Sequence, residues 1–466
     1  MFRHLSISPH FRTAALALAC LAVFSQRPEA AQQPASEEAF DIGEIVIISA
    51  RESAAEKILK LPVTTTVIQR EKFEDRFTSL PELLAESAGT EVRSYGGLGS
   101  FSTVSIRGSE SDQVTILIDG VPVNPAAGGS IDISSIPLTN VERIEIYRGA
   151  PPVRYPGASI GGVINIVTRP ENNTQKAELS LSAGSFGELS QRLSFLAPLN
   201  NKSVSFNYGR QTFDGDFKFL DDNGTPFNFA DDEWTTRKNN DFSSDDLDLR
   251  YTAEPNGSFN AAISAQIFSK DQGVPGIGNF QSDTARLKTD RRMISADFNL
   301  RGRDDGGAAT NLQISRSFLR TRFRDVFGEI GLGAKNNRNT TVADGARLTI
   351  ERRKGRHGIS VASGVSAESF RPSDTMTNAQ SGKSSRRNST SFAVEDSLRV
   401  LRDRLTVIPS YRYEKISSRF SGDDPFDFSP LAPQNTSSEK LSAFNAGARY
   451  RVSAALALRM NYGRYF

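Results

Sequence analysis

Cysteine is nearly missing. The 466-residue chain has one, Cys20, inside an apolar N-terminal stretch, Ala14–Phe24. Once such a stretch is removed no thiol remains, so disulfides, thiolate zinc sites and cysteine nucleophiles drop out together. Histidine is almost as scarce: of three, His4 and His10 lie in the same N-terminal segment, and His357 sits in a Gly-Arg-His-Gly turn. A His-based triad or two-His metal site would rest on that one turn residue. No apolar run approaches the roughly 20 residues that cross a bilayer as a helix. Charge of one sign is also missing, with 56 basic against 54 acidic residues. That balance gives no case for nucleic acid as a partner. Transmembrane β-barrels pass all these filters, because only every second residue of a strand faces lipid.

What is present falls into segments. Residues 1–31 read as a secretory signal, with Arg3 and Arg12 before an apolar core too short to span. Residues 32–57 read as a polar leader that contains the β-branched peptide Glu44-Ile45-Val46-Ile47-Ile48-Ser49-Ala50. Residues 58–170 read as a mixed α/β unit. Val63–Ile68, Val114–Ile118, Val141–Tyr147 and Val163–Val167 are expected strands, and Ser79-Leu-Pro-Glu82 is a capping box opening a helix through Ala88 that Gly89 ends. Gly- and Pro-rich loops at Tyr95–Phe101, Pro122–Ser130 and Gly149–Gly162 separate them.

From Lys176 onward the period is two. Asp246-Leu-Asp-Leu-Arg-Tyr251 alternates charge with apolar residue, and Phe444, Ala446, Ala448 and Tyr450 oppose Asn445, Gly447, Arg449 and Arg451. About 13 strands follow one another, joined by short turns alternating with long polar loops such as Asp214–Asp245 and Pro372–Asn388. That is the layout of an antiparallel transmembrane β-barrel.

Val141-Glu-Arg-Ile-Glu-Ile-Tyr-Arg-Gly149 followed by Gly161-Gly-Val-Ile-Asn-Ile166 resembles the plug domain of TonB-dependent outer-membrane receptors, as do Ser105-Ile-Arg-Gly108 and Val114–Asn124. Glu44–Ala50 resembles the TonB box. One departure is Tyr155-Pro156, where the family usually has Tyr-Gly; proline fixes φ, so a changed loop on a preserved fold is expected.

The resemblance implies a plug inside a barrel of about 22 strands in the outer membrane. It implies import of a ferric siderophore or cobalamin, energised by TonB through strand pairing with the box. No cofactor is called for. Tyr95, Leu98, Phe101 and Asn124, on loops the family turns outward, are the expected ligand contacts. Arg107, Glu142, Arg143, Glu145 and Arg148 are expected to form weak, wetted plug–wall ion pairs. The acidic loop with Asp221, Asp222, Asp231, Asp232 and Glu233 offers oxygen ligands for a hard cation without EF-hand spacing. Residues 171–466 supply too few strands to enclose a plug, so a partial barrel is expected, from a fragment or an interrupted gene. Competing readings are a signal-transducing receptor, an oligosaccharide importer, a passive porin and an outer-membrane enzyme. Against the last stand lone His357 and the lack of a nucleophile motif.

Overall fold

Runs of consecutive apolar residues and runs of alternating ones build two different bodies. The computed structural model describes Ile58 and residues 61–464, apart from 77, 126–129, 150, 157–160, 169–174, 226, 303–306, 332, 375, 377–383, 422–435 and 454–455. The signal segment and the Glu44–Ala50 peptide lie outside the described residues.

The first body is the plug. Its strands are β1 (Thr64–Gln69), β2 (Thr90–Ser94), β3 (Ser102–Ile106), β4 (Val114–Ile118), β5 (Val121–Pro122), β6 (Arg143–Arg148) and β7 (Gly162–Val167), and the α-helix α1 spans Leu80–Ala85. The sheet order is β1-β6-β7-β4-β5; β4 and β7 run parallel, and the other pairs are antiparallel. Every residue of β7 is buried, which explains its uninterrupted Gly-Val-Ile-Asn-Ile-Val run. Leu80, Leu83 and Leu84 of α1 share one core with Ile106, Ile116, Ile144, Ile146, Ile164 and Ile166. At the helix start Ser79 N–H donates to Glu82 Oε2 at 2.9 Å. The helix ends at Ala85, earlier than the expected Ala88, because Ser87 N–H and Thr90 Oγ1 cap the carbonyls of Leu84 and Ser87 and start the turn into β2.

The second body is a meander of thirteen strands hydrogen-bonded in chain order. They are β8 (Lys176–Ala183), β9 (Leu189–Leu199), β10 (Lys202–Phe213), β11 (Phe242–Asn256), β12 (Phe259–Gly273), β13 (Arg286–Arg301), β14 (Ala309–Asp325), β15 (Lys335–Lys354), β16 (His357–Asp374), β17 (Ser384–Asp396), β18 (Leu405–Ser421), β19 (Thr436–Arg451) and β20 (Ala457–Arg464). The three-residue strand Leu398–Val400 pairs beside β18. Among the described residues the far edges of β8 and β20 have no ladder partner, so the sheet is an open wall. Turns at 200–201, 257–258 and 355–356 lie at one end; loops 214–241, 274–285 and 326–334 lie at the other.

Alternation sorts the two faces of this wall. On β13, Thr289, Arg291, Met293, Ser295 and Asp297 are buried, whereas Ile294, Phe298 and Leu300 are exposed. The polar face is inward because the plug lies on it, and the apolar face is outward because it meets lipid. Leu249, Tyr251, Ile263, Ile267, Ile314, Leu348, Ile350, Val365, Phe392 and Phe444 extend that outward band.

Candidate functional site

The charged residues of β6 turn into the plug. β6 is paired on both edges, by β1 and β7, and its residues from Ile144 to Arg148 are buried on both faces of the sheet. Glu145 is fully buried and accepts from Tyr147 Oη at 2.9 Å, Tyr155 Oη at 2.7 Å and Asn165 Nδ2 at 3.1 Å, with Arg143 Nε at 2.8 Å from its other oxygen. Burial raises its pKa, but the Arg143 charge and the phenol and amide donors outweigh that, holding the carboxylate below its usual range. The expected plug–wall ion pair at Arg143 and Glu145 is thus corrected to a pair inside the plug. Tyr155 of the Tyr-Pro departure is buried in that network.

Arg148 is likewise internal: its Nη1 donates to Thr66 Oγ1 at 2.8 Å, while its buried Nε and Nη2 have no partner among the described residues. Burial, then the charge of Arg107, pull this guanidinium below its ordinary value. Arg107 is exposed in a turn at φ 55°, and its N–H donates to Gly89 O. Glu142 holds the β-edge through its backbone, donating to Val167 O and accepting from Arg70 N–H.

The contacts that join plug to wall come from residues the motifs did not mark. Arg291 Nη1 donates to Ser135 O at 3.1 Å, Gln313 Nε2 to Asp119 O at 2.9 Å, and Arg412 Nη1 to Tyr155 O at 3.0 Å and its Nη2 to Pro151 O. Lys270 Nζ donates to Ser134 Oγ at 2.9 Å and to Gly99 O. Among the described residues acceptors also sit on the wall: Asp246 takes Thr139 Oγ1 at 3.1 Å, Asp248 accepts from the Asn140 side chain, Glu395 takes Val153 N–H at 3.4 Å, and Glu178 stands 3.6 Å from Arg70. The seat is therefore built mainly from wall donors on plug carbonyls. A cavity of about 30 Å³, lined by Ile118, Asn140, Asp246, Asp248, Gln266 and Arg291, interrupts it. In sequence these donors show only as long polar side chains at inward strand positions, as at Lys270.

Toward the long-loop end, β2 and β3 form a hairpin whose tip presents Tyr95, 70% exposed, with half-buried Leu98 and Phe101. Tyr95 and Phe101 rings stand 5.7 Å apart. The tip is pinned at Gly99 (φ +74°), where an added Cβ would fall 2.3 Å from the Phe242 ring. Asp132 pins its base, accepting from Ser102 N–H and Ser134 Oγ. Asn124 is placed otherwise than expected. Its Oδ1 accepts from Ile116 N–H at 2.6 Å and its Nδ2 donates to Val114 O at 2.9 Å, which extends the β4 ladder past short β5.

The long loops are tied to one another. Asn239 Nδ2 donates to Ala285 O at 2.7 Å, and Arg237 Nη1 to Gly278 O at 3.0 Å. Glu329 accepts from Ser282 Oγ, the N–H groups of Asp283, Thr284 and Ala285, and Thr284 Oγ1, over 2.7–3.3 Å. These bonds, led by that of Ser282, bring its pKa down to about 2. Around this rim Phe227, Trp234, Phe280 and Phe327 are more than 70% exposed. In the acidic loop Asp231 accepts from Thr225 Oγ1; among the described residues no three acidic or imidazole groups gather as a metal site. His357 Nδ1 meets Asp396 Oδ2 at 2.7 Å at the short-turn end. There too the start of the plug lies on the wall, with Pro62 against Gly447 and Ile58 packed with Leu117, Tyr147, Tyr155 and Val163.

Two family models match: the TonB-dependent receptor plug domain over residues 57–163, and the TonB dependent receptor-like β-barrel over 183–466. Among curated relatives, the vitamin B12 transporter BtuB of Vibrio cholerae is 41% identical over 120 residues, 26% of this chain and 20% of that protein. BtuB of Vibrio vulnificus is 40% identical over 123 residues, again 26% and 20%. Among solved structures, the ferric citrate transporter FecA superposes with TM-score 0.68 at 18% identity, covering 87% of this chain and 63% of that one. The ferric yersiniabactin uptake receptor FyuA from Yersinia pestis gives 0.64 at 18%, covering 86% and 64%. The chain thus spans less than two thirds of the length of each.

Proposed function

The chain belongs to the TonB-dependent receptor family of the outer membrane, and on that premise we propose that it serves energised import of a scarce solute, a ferric siderophore or cobalamin. One observation carries this reading: the plug is seated on the polar face of a lipid-exposed wall mostly by single hydrogen bonds to its own backbone. Each such bond contributes about 1 kcal/mol net, somewhat more from a charged donor. They act one by one when the plug is pulled, so a modest force can shift it.

The ends of the plug fit that use. Its N-terminal start lies at the short-turn end, where the leader with Glu44–Ala50 would meet TonB by strand pairing. Tyr95, Leu98 and Phe101 stand at the opposite end among exposed loop aromatics, a surface suited to an extended aromatic or macrocyclic ligand. The identity to vitamin B12 transporters favours cobalamin, and the wall's likeness to siderophore receptors keeps ferric chelates beside it.

The test is deletion of Glu44–Ala50 in the full-length gene, followed by energised uptake of labelled cobalamin and of a panel of ferric siderophores. Uptake of one solute should fall to the passive level while its surface binding persists. Unchanged uptake of every solute would end this reading.

A further inference from the structure

Past the foot of the plug, the inward face of the wall turns basic. Pro62 lies against Gly447 of β19, and Asn461 of β20 stands opposite that glycine. Two residues nearer the short turns, the same face carries Arg449 and, directly opposite it, Arg459. On the other side of Arg449 stands Thr406, and beyond Thr406 stands Arg399 of the short strand Leu398–Val400. Arg451, two residues past Arg449, ends β19 on this face too.

These cations have little to hold. Their directly opposite neighbours are not acidic: Thr406 for Arg399, Thr406 and Arg459 for Arg449, and Ala457 for Arg451. Among the described residues Arg399, Arg449 and Arg451 have no ionic partner, and Arg449 Nε is buried without a hydrogen-bond partner. Like charges directly opposite one another, as Arg449 and Arg459 are, destabilise a sheet. The neighbouring acids are engaged or lie elsewhere. Glu395 takes Val153 N–H of the plug, and Asp396 meets His357. Asp403 stands in the turn 401–404, where Arg402 and Arg404 flank it. Arg356, whose carbonyl takes Arg399 N–H, adds a further cation in the next turn.

Parity says what the patch faces. On β19 Phe444 and Tyr450 are outward and exposed, whereas Ala443, Asn445 and Gly447 are inward and buried. Arg449 and Arg451 share the inward parity, so they face the mouth beneath the plug and not lipid. The short turns of an outer-membrane wall face the periplasm. Adjacent strands lie about 4.8 Å apart, so Arg399 to Arg459 spans about 14 Å, the length of four or five extended residues. Thr406 and Ala457, which stand among the cations, are too small to offer an apolar anchor. The patch therefore suits a charged, extended chain and not the apolar core of a folded interface.

We propose that Arg399, Arg449, Arg451 and Arg459 form a docking patch for an extended acidic peptide of a periplasmic partner. Guanidinium forks match carboxylates oxygen for oxygen. In an extended chain every second side chain points the same way, about 6.7 Å apart, which is also the spacing from Arg449 to Arg451 along β19. A carboxylate set between Arg449 and Arg459 offsets their repulsion. The patch adjoins Pro62, near the start of the plug, so a partner bound there lies beside the chain on which a pull would act. The periplasmic address follows from membership of the family, and the binding does not depend on which solute is carried.

The test uses the full chain purified in a zwitterionic detergent, titrated with a labelled peptide that alternates Glu with Ser and with its Gln–Ser counterpart. Combined Arg399→Gln, Arg449→Gln and Arg451→Gln should weaken binding of the Glu peptide roughly thirtyfold, at about a factor of three per cation. The charge-preserving set Arg399→Lys, Arg449→Lys and Arg451→Lys should retain most of it. Arg352→Gln with Lys354→Gln, on the outward face of exposed Leu348 and Ile350, should change it by less than about twofold. Added salt should weaken it. Equal binding of the Gln peptide, full affinity in a folded triple Gln variant, or an equal loss in the outward pair would overturn the proposal. So would failure of the intact chain to bind, or displacement of the peptide by a short-chain anionic phospholipid at equal charge. If the triple variant does not fold, Arg451→Gln alone, at the exposed end of β19, against Lys354→Gln decides, with a loss of about threefold expected only for the first.

Discussion

Lys270 of β12 reaches across from the wall to donate to Ser134 of the plug at 2.9 Å, and in the same reach it takes the carbonyl of Gly99 at the hairpin tip. One buried ammonium thus fixes the loop that bears Tyr95 and Phe101. Replacing Lys270 with Met should loosen the tip without unfolding the wall. Hydrogen exchange over residues 95–101 should speed up about tenfold, matching about 1.5 kcal/mol for charge-assisted bonds. Unchanged exchange there would mean that Asp132 and Phe242 hold the tip unaided.

Gly99 allows no side chain. Its φ of +74° and the Phe242 ring 2.3 Å from any added Cβ both oppose substitution. Gly99→Ala should cost about 1–3 kcal/mol of plug stability in calorimetry and displace the tip. Adding Phe242→Ala should restore part of that loss by removing the clash and none of the φ strain. A Gly99→Ala protein with wild-type melting would contradict this account.

Glu145 links plug stability to acid. Its folded pKa lies below the unfolded value, so its contribution is complete above the ordinary glutamate range and is lost as pH falls through the folded value. Plug melting should therefore decline from about pH 5 downward. Glu145→Gln should remove about 3 kcal/mol at neutral pH, because Arg143 and two phenols lose their charged acceptor, and should flatten that acid slope. Tyr155→Phe should cost about 1–2 kcal/mol and make that slope shallower, because it removes one of the donors that hold the carboxylate low. A Glu145→Gln protein with the wild-type pH profile would remove this carboxylate from the explanation.

Glu329 fastens loop 326–334 to loop 274–285. Its folded pKa of about 2 lies below the unfolded value, so the fastening is complete above about pH 5 and fades as pH falls toward 2. At neutral pH Glu329→Gln should raise exchange at the amides of residues 283–285 above wild type. At pH 2 the two proteins should converge. Persistence of the difference at pH 2 would show that the carboxylate charge is not the cause.

Much of this fold could be read from periodicity. Alternation in Asp246–Tyr251 and Phe444–Val452 marked wall strands and their faces, because only a surface wet on one side and oily on the other needs that pattern. The unbroken run at Gly162–Val167 marked a central strand for the converse reason. The site was less legible. Arg143 and Glu145 alternate with Ile144 and Ile146 as a solvated strand would, yet β6 is buried on both faces, and no local signal reports a neighbour supplied by Tyr155 or Asn165. Lys270 and Arg412 look like ordinary lumen residues until the plug carbonyls are set beside them. Asn124 closes a ladder eight residues behind it, which its loop composition gave no sign of.

A seat built on carbonyl acceptors has a genetic corollary. Every residue carries a carbonyl, so replacements on the plug surface that keep its main-chain path should leave its grip on the wall intact. Replacements at Lys270, Arg291, Gln313 or Arg412 should not be so forgiving. A library scored for correct plug retention should accordingly show tolerance on the inner partner and intolerance at a handful of positions on the outer one.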